Sequence, residues 1–260
     1  MVRKENRRFA LVREIPDTFD LCIKPRYNPQ TIDVELARLQ HREYCSLLSR
    51  FGFSLIVLPA DRRYPDSAFV EDAAVVAGDT AIITRPGAAA RRGEVEAVRN
   101  ALAPYKRIEQ ILPPGCLEGG DVLQVEDRTF VGLTERTNRH GFSQMARLLR
   151  ETGFPATPVP LKRSLHLKTA CNYLGRGLLV VNHLDFEIEI FSHLEIIRAD
   201  PSEAARLSFL ALGESVLVPD DCPVTAEEFE RRGWKAVPVG LSEIRKAQAG
   251  LTCMSILFEA

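Results

Sequence analysis

A strand–strand–helix–strand pattern of about 50 residues recurs along this 260-residue chain, and it confines the fold to repeats of one small unit. Val70–Val76 and Thr80–Thr84 read as strands around a Gly78-Asp79 turn. Val95, Val98 and Leu102 then mark one face of a short helix, and Arg107–Ile111 reads as a further strand. The order repeats at Val122–Val125, Thr129–Leu133, a helix over Thr137–Glu151 and a strand at Ala156–Val159. It returns less cleanly at Phe209–Leu212 and Ser215–Val218, with a helix from Thr225 whose Glu228 completes a capping-box spacing, a stop at Gly233 and a strand at Lys235–Val239. Ahead of these units lie strands at Phe9–Val12 and Ser54–Leu58, on either side of a helix over Thr31–Phe51 that Gly52 stops. A unit of this size fits roughly five times into the chain. A radial arrangement would gather loops from every unit around one central pocket.

No low-complexity stretch or long linker interrupts the sequence, so residues 1–260 read as a single domain with a well-buried core. A formal net charge of −1 gives no global attraction to nucleic acid or to an anionic membrane. The basic start, Met1 to Arg8, leads into an apolar run of only Phe9–Val12, too short for a signal peptide or a span of ~20 residues. A cytoplasmic protein is expected. The six cysteines form no Cys-x-x-Cys pair; most of Cys22, Cys45, Cys116, Cys171 and Cys222 are expected to be small buried hydrophobes with free thiols.

Chemistry-bearing residues gather in four segments. Cys253 precedes the apolar Met254–Phe258 run, a loop-to-strand junction of the kind that commonly carries catalytic groups. The plainer alternative is a packing cysteine. His166 lies between Leu165 and Leu167, where partial burial lets an imidazole titrate near neutral pH, and here the alternative is a hydrogen-bonded core histidine. His41 and His140 read as solvated. Asp66, Glu71 and Asp72 surround Phe69 ahead of an apolar strand, and Glu118 and Asp121 flank Gly119-Gly120. Carboxylates in such places are costly unless a cation or donor meets them, and a planar guanidinium does so with paired N–H groups. That guanidinium belongs either to a substrate or to internal arginines such as Arg85, Arg91 or Arg136. A thiol, an imidazole and surplus carboxylates together suit attack on the carbon of a guanidinium.

Phosphate-loop, dinucleotide, nucleophile-elbow and zinc-helix signatures are missing from the sequence, so neither a metal nor a cofactor is expected.

The segments Tyr64-Pro65-Asp66-Ser67-Ala68-Phe69-Val70-Glu71-Asp72, Ala81-Ile82-Ile83-Thr84-Arg85-Pro86-Gly87, Arg91-Arg92-Gly93-Glu94, Arg136-Thr137-Asn138, Leu165-His166-Leu167-Lys168-Thr169 and Thr252-Cys253-Met254-Ser255 resemble, in letters, order and spacing, the dimethylarginine dimethylaminohydrolases of the amidinotransferase/deiminase superfamily. The resemblance runs over most of the chain. It implies a five-bladed α/β propeller of pseudo-symmetric ββαβ units around a central active-site pocket. It further implies Cys253 as nucleophile, His166 as general acid/base and Glu118 as the carboxylate that orients it. Glu71 and Asp72 would grip the guanidinium, Asp66 the α-amino group, and Arg91 and Arg136 the α-carboxylate, with Phe69 as a pocket wall. Asp20–Gln30 departs most from the pattern and carries a small insertion where the family has a flexible lid. Leu21 matches its substrate-touching leucine, and Ala247 falls where a backbone carbonyl meets the substrate.

The implied partner is a small molecule, a methylated arginine, and a homodimer is left open. The implied reaction releases citrulline and an alkylamine through a covalent thiouronium on Cys253. The first alternative is an arginine deiminase, although the 45 residues between Asp72 and Glu118 leave no room for the helical domain such enzymes insert. A thiol hydrolase of peptides or amides would want oxyanion donors in place of carboxylates. A non-catalytic module for arginine-like ligands is the third reading.

Overall fold

The computed structural model describes residues 7–25, 27, 29–182, 185–204 and 207–260. They form five three-stranded sheets, each an antiparallel pair extended by a parallel third strand. The sheet of β1 (Arg8–Arg13) and β2 (Ser54–Leu58) also takes β15 (Ile256–Glu259). The second holds β3 (Ala74–Ala77), β4 (Thr80–Ile83) and β5 (Arg107–Gln110), and the third β6 (Val122–Val125), β7 (Arg128–Leu133) and β8 (Ala156–Pro160). The fourth holds β9 (Cys171–Gly175), β10 (Leu178–Val181) and β11 (Glu195–Arg198), and the fifth β12 (Leu210–Leu212), β13 (Ser215–Pro219) and β14 (Lys235–Val239). A parallel third strand needs a crossover, which explains a helix in four of the five repeats: α1 (Val34–Arg50), α2 (Val95–Leu102), α3 (Arg139–Glu151) and, last, the helix Pro223–Arg231.

The middle strands show why the sheets form a ring. Side chains alternate across a strand, and here each face packs on a different neighbour. In β4, Ala81 and Ile83 join Leu11 and Phe258 of the first blade, while Ile82 joins Val122 and Val131 of the third. In β10, Leu179 and Val181 pack with Phe130, and Leu178 and Val180 pack with Val216. Leu217 of β13 then meets Ala10 and Val12 of the first blade, closing the circle. Burial on both faces produces the continuous apolar runs that mark these strands. The architecture is the five-bladed α/β propeller implied by the resemblance, with the C-terminal β15 completing the N-terminal blade.

Several boundaries differ from the sequence reading. Val70–Ala73 is a 3-10 turn, so the strand read from Val70 begins only at Ala74. Turning there sends Glu71 and Asp72 toward the ring axis. Asp33 caps α1 at the Leu36 N–H, and Asn138 caps α3 at the Gly141 N–H. The last crossover helix starts at Pro223, not at a Thr225 cap, because the Thr225 N–H and hydroxyl both donate to the buried Glu203. The fourth crossover contains only a 3-10 turn, Ile188–Phe191, among the described residues, and no helical period marks it in the sequence.

Candidate active site

The residues that lead into the first strand of each blade form one face of the ring axis. The turn Val70–Ala73 leads into β3, Gly119–Asp121 into β6, α4 (Leu167–Ala170) into β9, and Thr252–Met254 into the stretch before β15. Glu71 and Asp72, Glu118, His166, and Cys253 therefore occupy related places in successive blades. Ser208 stands just ahead of β12, where its hydroxyl accepts from the Leu251 N–H at 2.6 Å beside the cysteine turn. Five sequence segments converge because the repeat brings the same local position to the axis.

Glycine makes the convergence possible. A Cβ on Gly119 would lie 1.9 Å from the Glu71 carbonyl oxygen, and one on Gly120 2.8 Å from His166 Nδ1 and 2.9 Å from Asp72 Oδ1. The Gly119-Gly120 pair is thus a contact surface for three site residues at once. Asp121, wholly buried, accepts from the Thr134 and Thr137 hydroxyls and from the Leu167 N–H, which fixes the start of α4 next to His166. Thr169 pins the other side of that turn, accepting from the His166 N–H and donating to its carbonyl.

His166 Nε2 stands 2.8 Å from Glu118 Oε2, with Asp72 Oδ1 3.9 Å away. Burial works against a charged imidazole, but Asp72, Glu118 and Asp121 overcome it and raise its pKa to about 9. Burial opposes the Glu118 carboxylate as well, yet its bond to His166 holds it below the usual range. Asp72 is likewise depressed, since His166 and Arg91 outweigh its burial. Cys253 goes the other way: burial, then Glu71 and Asp72, push its thiol up. Its Sγ lies 3.5 Å from the Gly250 N–H.

The internal arginines take up part of the carboxylate charge. Arg91 donates to Asp72 at 2.6 Å and Arg136 to Glu118 at 3.3 Å, whereas Arg85 goes to the Gly115 carbonyl and the Cys116 thiol. Glu71 is held by Lys168 at 2.8 Å and by the Thr252 hydroxyl at 3.1 Å. Asp66 accepts the Ile23 N–H on both oxygens, and burial raises its pKa.

Two cavities meet at Leu165, His166, Gln248, Ala249 and Cys253. The smaller, about 30 Å³, is bordered by Asp66, Phe69, Asp72, Arg91, Arg136 and Ala247. The larger, about 480 Å³, carries Glu71, Lys168 and Thr252 on its wall. The expected site residues other than Glu118 and Leu21 line these cavities; Glu118, wholly buried, joins them through His166, and Leu21 is 73% exposed and outside both linings. Ile23, two positions on, lines the smaller cavity instead. Lys168, Thr252, Gln248 and Thr137 join the site without a sequence signal that assigns them to it, and Asp121, noted in the sequence beside Glu118, meets donors of the protein itself. Gln248 borders both cavities with a φ of 56°, a left-handed conformation rare outside glycine that is over-represented at functional sites. His41, read as solvated, is buried, and desolvation lowers its pKa to about 4; His140 is exposed. Cys22, Cys171 and Cys222 are buried as expected, while Cys45 and Cys116 are half-buried. His183 lies outside the described residues.

Asp72, Glu118 and His166 also place ligand atoms within 4.8 Å of one another. Arg91, Arg136 and the N–H groups of Ala88 and Gly120 already meet those carboxylates, which makes the cluster a charge-paired network.

Such a ring of blades, with a cysteine, a histidine and paired carboxylates at its axis, defines an enzyme of the amidinotransferase superfamily. No protein-family model matches the chain. It is 35% identical to the N(G),N(G)-dimethylarginine dimethylaminohydrolase of Pseudomonas aeruginosa over 228 residues, covering 87% of this chain and 90% of that one. Identity to the Streptomyces coelicolor protein of the same name is also 35%, over 249 residues and 95% of each chain. The structure of a cysteine-to-serine mutant of the Pseudomonas enzyme complexed with citrulline superposes with a TM-score of 0.91 at 32% identity, over 96% of this chain and 98% of that one. The chain belongs to the dimethylarginine dimethylaminohydrolase family. The N-terminal domain of the cyanobacterial arginine dihydrolase ArgZ, 17% identical with a TM-score of 0.87, shares the fold.

Proposed function

We propose that this chain, acting as one catalytic domain, hydrolyses Nω-methylated arginine to citrulline and methylamine or dimethylamine. The observation that carries the reading is the meeting of Cys253 and His166 at a cavity bordered by Asp66, Asp72, Arg91 and Arg136. The acidic groups suit the α-amino and guanidinium ends of an amino acid, and the arginines suit its carboxylate. Membership of the family supports the same assignment.

Chemistry follows from the electrostatics. A bound guanidinium offsets the negative charge of Glu71 and Asp72, the groups that with burial hold the Cys253 thiol protonated. The thiolate formed on binding attacks the guanidinium carbon. His166, cationic at neutral pH, gives its proton to the departing amine as the carbon–nitrogen bond breaks. The alkylthiouronium left on Cys253 then takes up water, with neutral His166 accepting its proton. Collapse breaks the carbon–sulfur bond, and citrulline leaves. Throughout, Glu118 holds the imidazole at 2.8 Å and balances its charge. Leu21, exposed and outside both cavities, has no part in these steps.

Citrulline formation from arginine, monomethylarginine and asymmetric dimethylarginine, compared at equal concentrations, tests the reading. Turnover should be fastest with the methylated pair. Faster turnover of free arginine would favour the deiminase reading, and none with any of the three would remove the activity. Among the described residues no helix is long and apolar enough to cross a membrane; a cytoplasmic setting remains an expectation from the sequence.

A further inference from the structure

Arg91 is only 4% exposed, and most of its donors are spent inside the protein. Nη1 donates to Asp72 at 2.6 Å, and Nη2 to the Phe69 carbonyl at 3.0 Å and to the Asp66 carbonyl at 3.4 Å. Each of these three residues borders the smaller cavity. The opposite edge of the guanidinium is taken by Glu94: Nε lies 3.2 and 3.1 Å from its two oxygens, and Nη2 2.9 Å from Oε2. Glu94 itself is 3% exposed and reaches neither cavity. It also sits one residue past Gly93, where a Cβ would strike the Tyr64 hydroxyl at 1.9 Å, so the turn carrying it is locked against the segment that leads to Asp66.

We propose that Glu94 is a positioning residue for substrate capture: by clamping the back edge of Arg91 it holds the Asp66–Phe69–Asp72 wall in its binding shape. This rests on the reading of that wall as the amino-acid pocket. A planar guanidinium held along one edge by a carboxylate cannot swing about its Cδ–Nε bond, so its far edge stays aimed at Asp72. Without the clamp, Arg91 keeps only its bonds to Asp72 and to the Phe69 and Asp66 carbonyls, and its far edge is held less firmly against Asp72. The charge of Glu94 is what secures the clamp. Burial opposes that charge most strongly and Asp66 and Asp72 add to it, so its pKa rises to about 7 even though Arg91 favours the ionised form. The Arg13 guanidinium lies close enough to feel the same carboxylate. The clamp therefore slackens as pH falls through neutrality.

Glu94→Gln, which keeps shape and removes charge, tests this when compared with wild type and Glu94→Asp. Measured with asymmetric dimethylarginine at pH 8, Glu94→Gln should show a Michaelis constant raised by at least ~10-fold, the scale of a lost charge-assisted hydrogen bond. Its kcat should change less, and Glu94→Asp should recover part of the loss. The wild-type Michaelis constant should climb between pH 8 and pH 6, while that of Glu94→Gln stays flat. A structural role alone would not remove that slope. An unchanged Michaelis constant in Glu94→Gln overturns the proposal, as does a flat wild-type profile, which needs no variant to fold. If wild type turns over no methylated arginine at all, it is the functional reading that fails. Calorimetric binding of citrulline at the two pH values then tests the clamp independently, with weaker binding at pH 6 expected and unchanged affinity counting against it.

Discussion

Nε2 of His166 lies 2.8 Å from Oε2 of Glu118, a carboxylate with no exposed surface and a second oxygen held by Arg136 and the Ala88 N–H. Glu118 orients the imidazole, and Asp72, followed by Glu118 and Asp121, keeps it cationic against its burial. Glu118→Gln should fold, since the amide keeps the shape, yet it should lower kcat by about 100-fold, or ~2.7 kcal/mol at the transition state. Its pH–rate profile should show the acid titrating below the wild-type value. A variant with near-normal kcat would leave the orientation of His166 to other contacts.

The pKa of His166 makes stability depend on pH. Its folded value of about 9 lies above the ordinary 6.5, so the folded state binds the proton more tightly. That stabilisation is fully present below pH 6.5 and is lost as pH rises through about 9. Urea denaturation of wild type and His166→Gln at pH 6, 7.5 and 9 separates this contribution, and the gap between the two should vary over that window. A constant gap would mean that folding does not raise the pKa of His166.

Gly120→Ala should be tolerated poorly but differently from Gly119→Ala. The new methyl at 120 meets the side chains of His166 and Asp72, so we expect a folded protein destabilised by ~1–3 kcal/mol whose kcat falls more than tenfold. At 119 the methyl meets the Glu71 carbonyl at 1.9 Å, where backbone must shift, and melting should fall further. Equal activities for both variants and wild type would contradict the packing at the axis.

Binding of a guanidinium ligand should release a proton from Cys253, because burial, and after it the charges of Glu71 and Asp72, push the thiol up, and a bound cation offsets the second of these causes. Calorimetry of monomethylarginine with the slow His166→Gln variant, in buffers of different ionisation enthalpy, reads this directly. Adding Cys253→Ser should abolish the release. The same release in the doubly substituted protein would place the proton elsewhere.

The sequence is legible where its local pattern is strong. The hairpins around Gly78-Asp79 and at Val122–Leu133 carry continuous apolar runs and turn residues, and both are present. Cys253, His166, Glu118 and Asp72 lie in motifs whose order resembles a family, and they do meet at one point. Blade four gives no such signal because its crossover, among the described residues, holds one 3-10 turn in place of an amphipathic helix. Glu71 and Asp72 read as part of a strand because Val70, Ala73 and Val76 around them are apolar; only tertiary contact shows that the chain turns inward first. His41 misleads for a related reason. Charged neighbours on α1 hide the fact that its own face of the helix is buried. Partner choice is the least legible feature, since no spacing rule tells whether Arg91 faces a substrate or Asp72, or that Lys168 reaches across 97 residues to Glu71.

The central claim is that Cys253 attacks the guanidinium carbon while His166 delivers the proton. Intact-protein mass spectrometry of His166→Gly, incubated with an arginine analogue bearing a better leaving group on the guanidinium carbon, tests it most directly. With proton delivery and water activation both impaired, the protein should gain the mass of one thiouronium adduct, and peptide mapping should place it on Cys253 alone among the six cysteines. No adduct in a variant that still binds citrulline, or an adduct spread over several cysteines, would contradict the account.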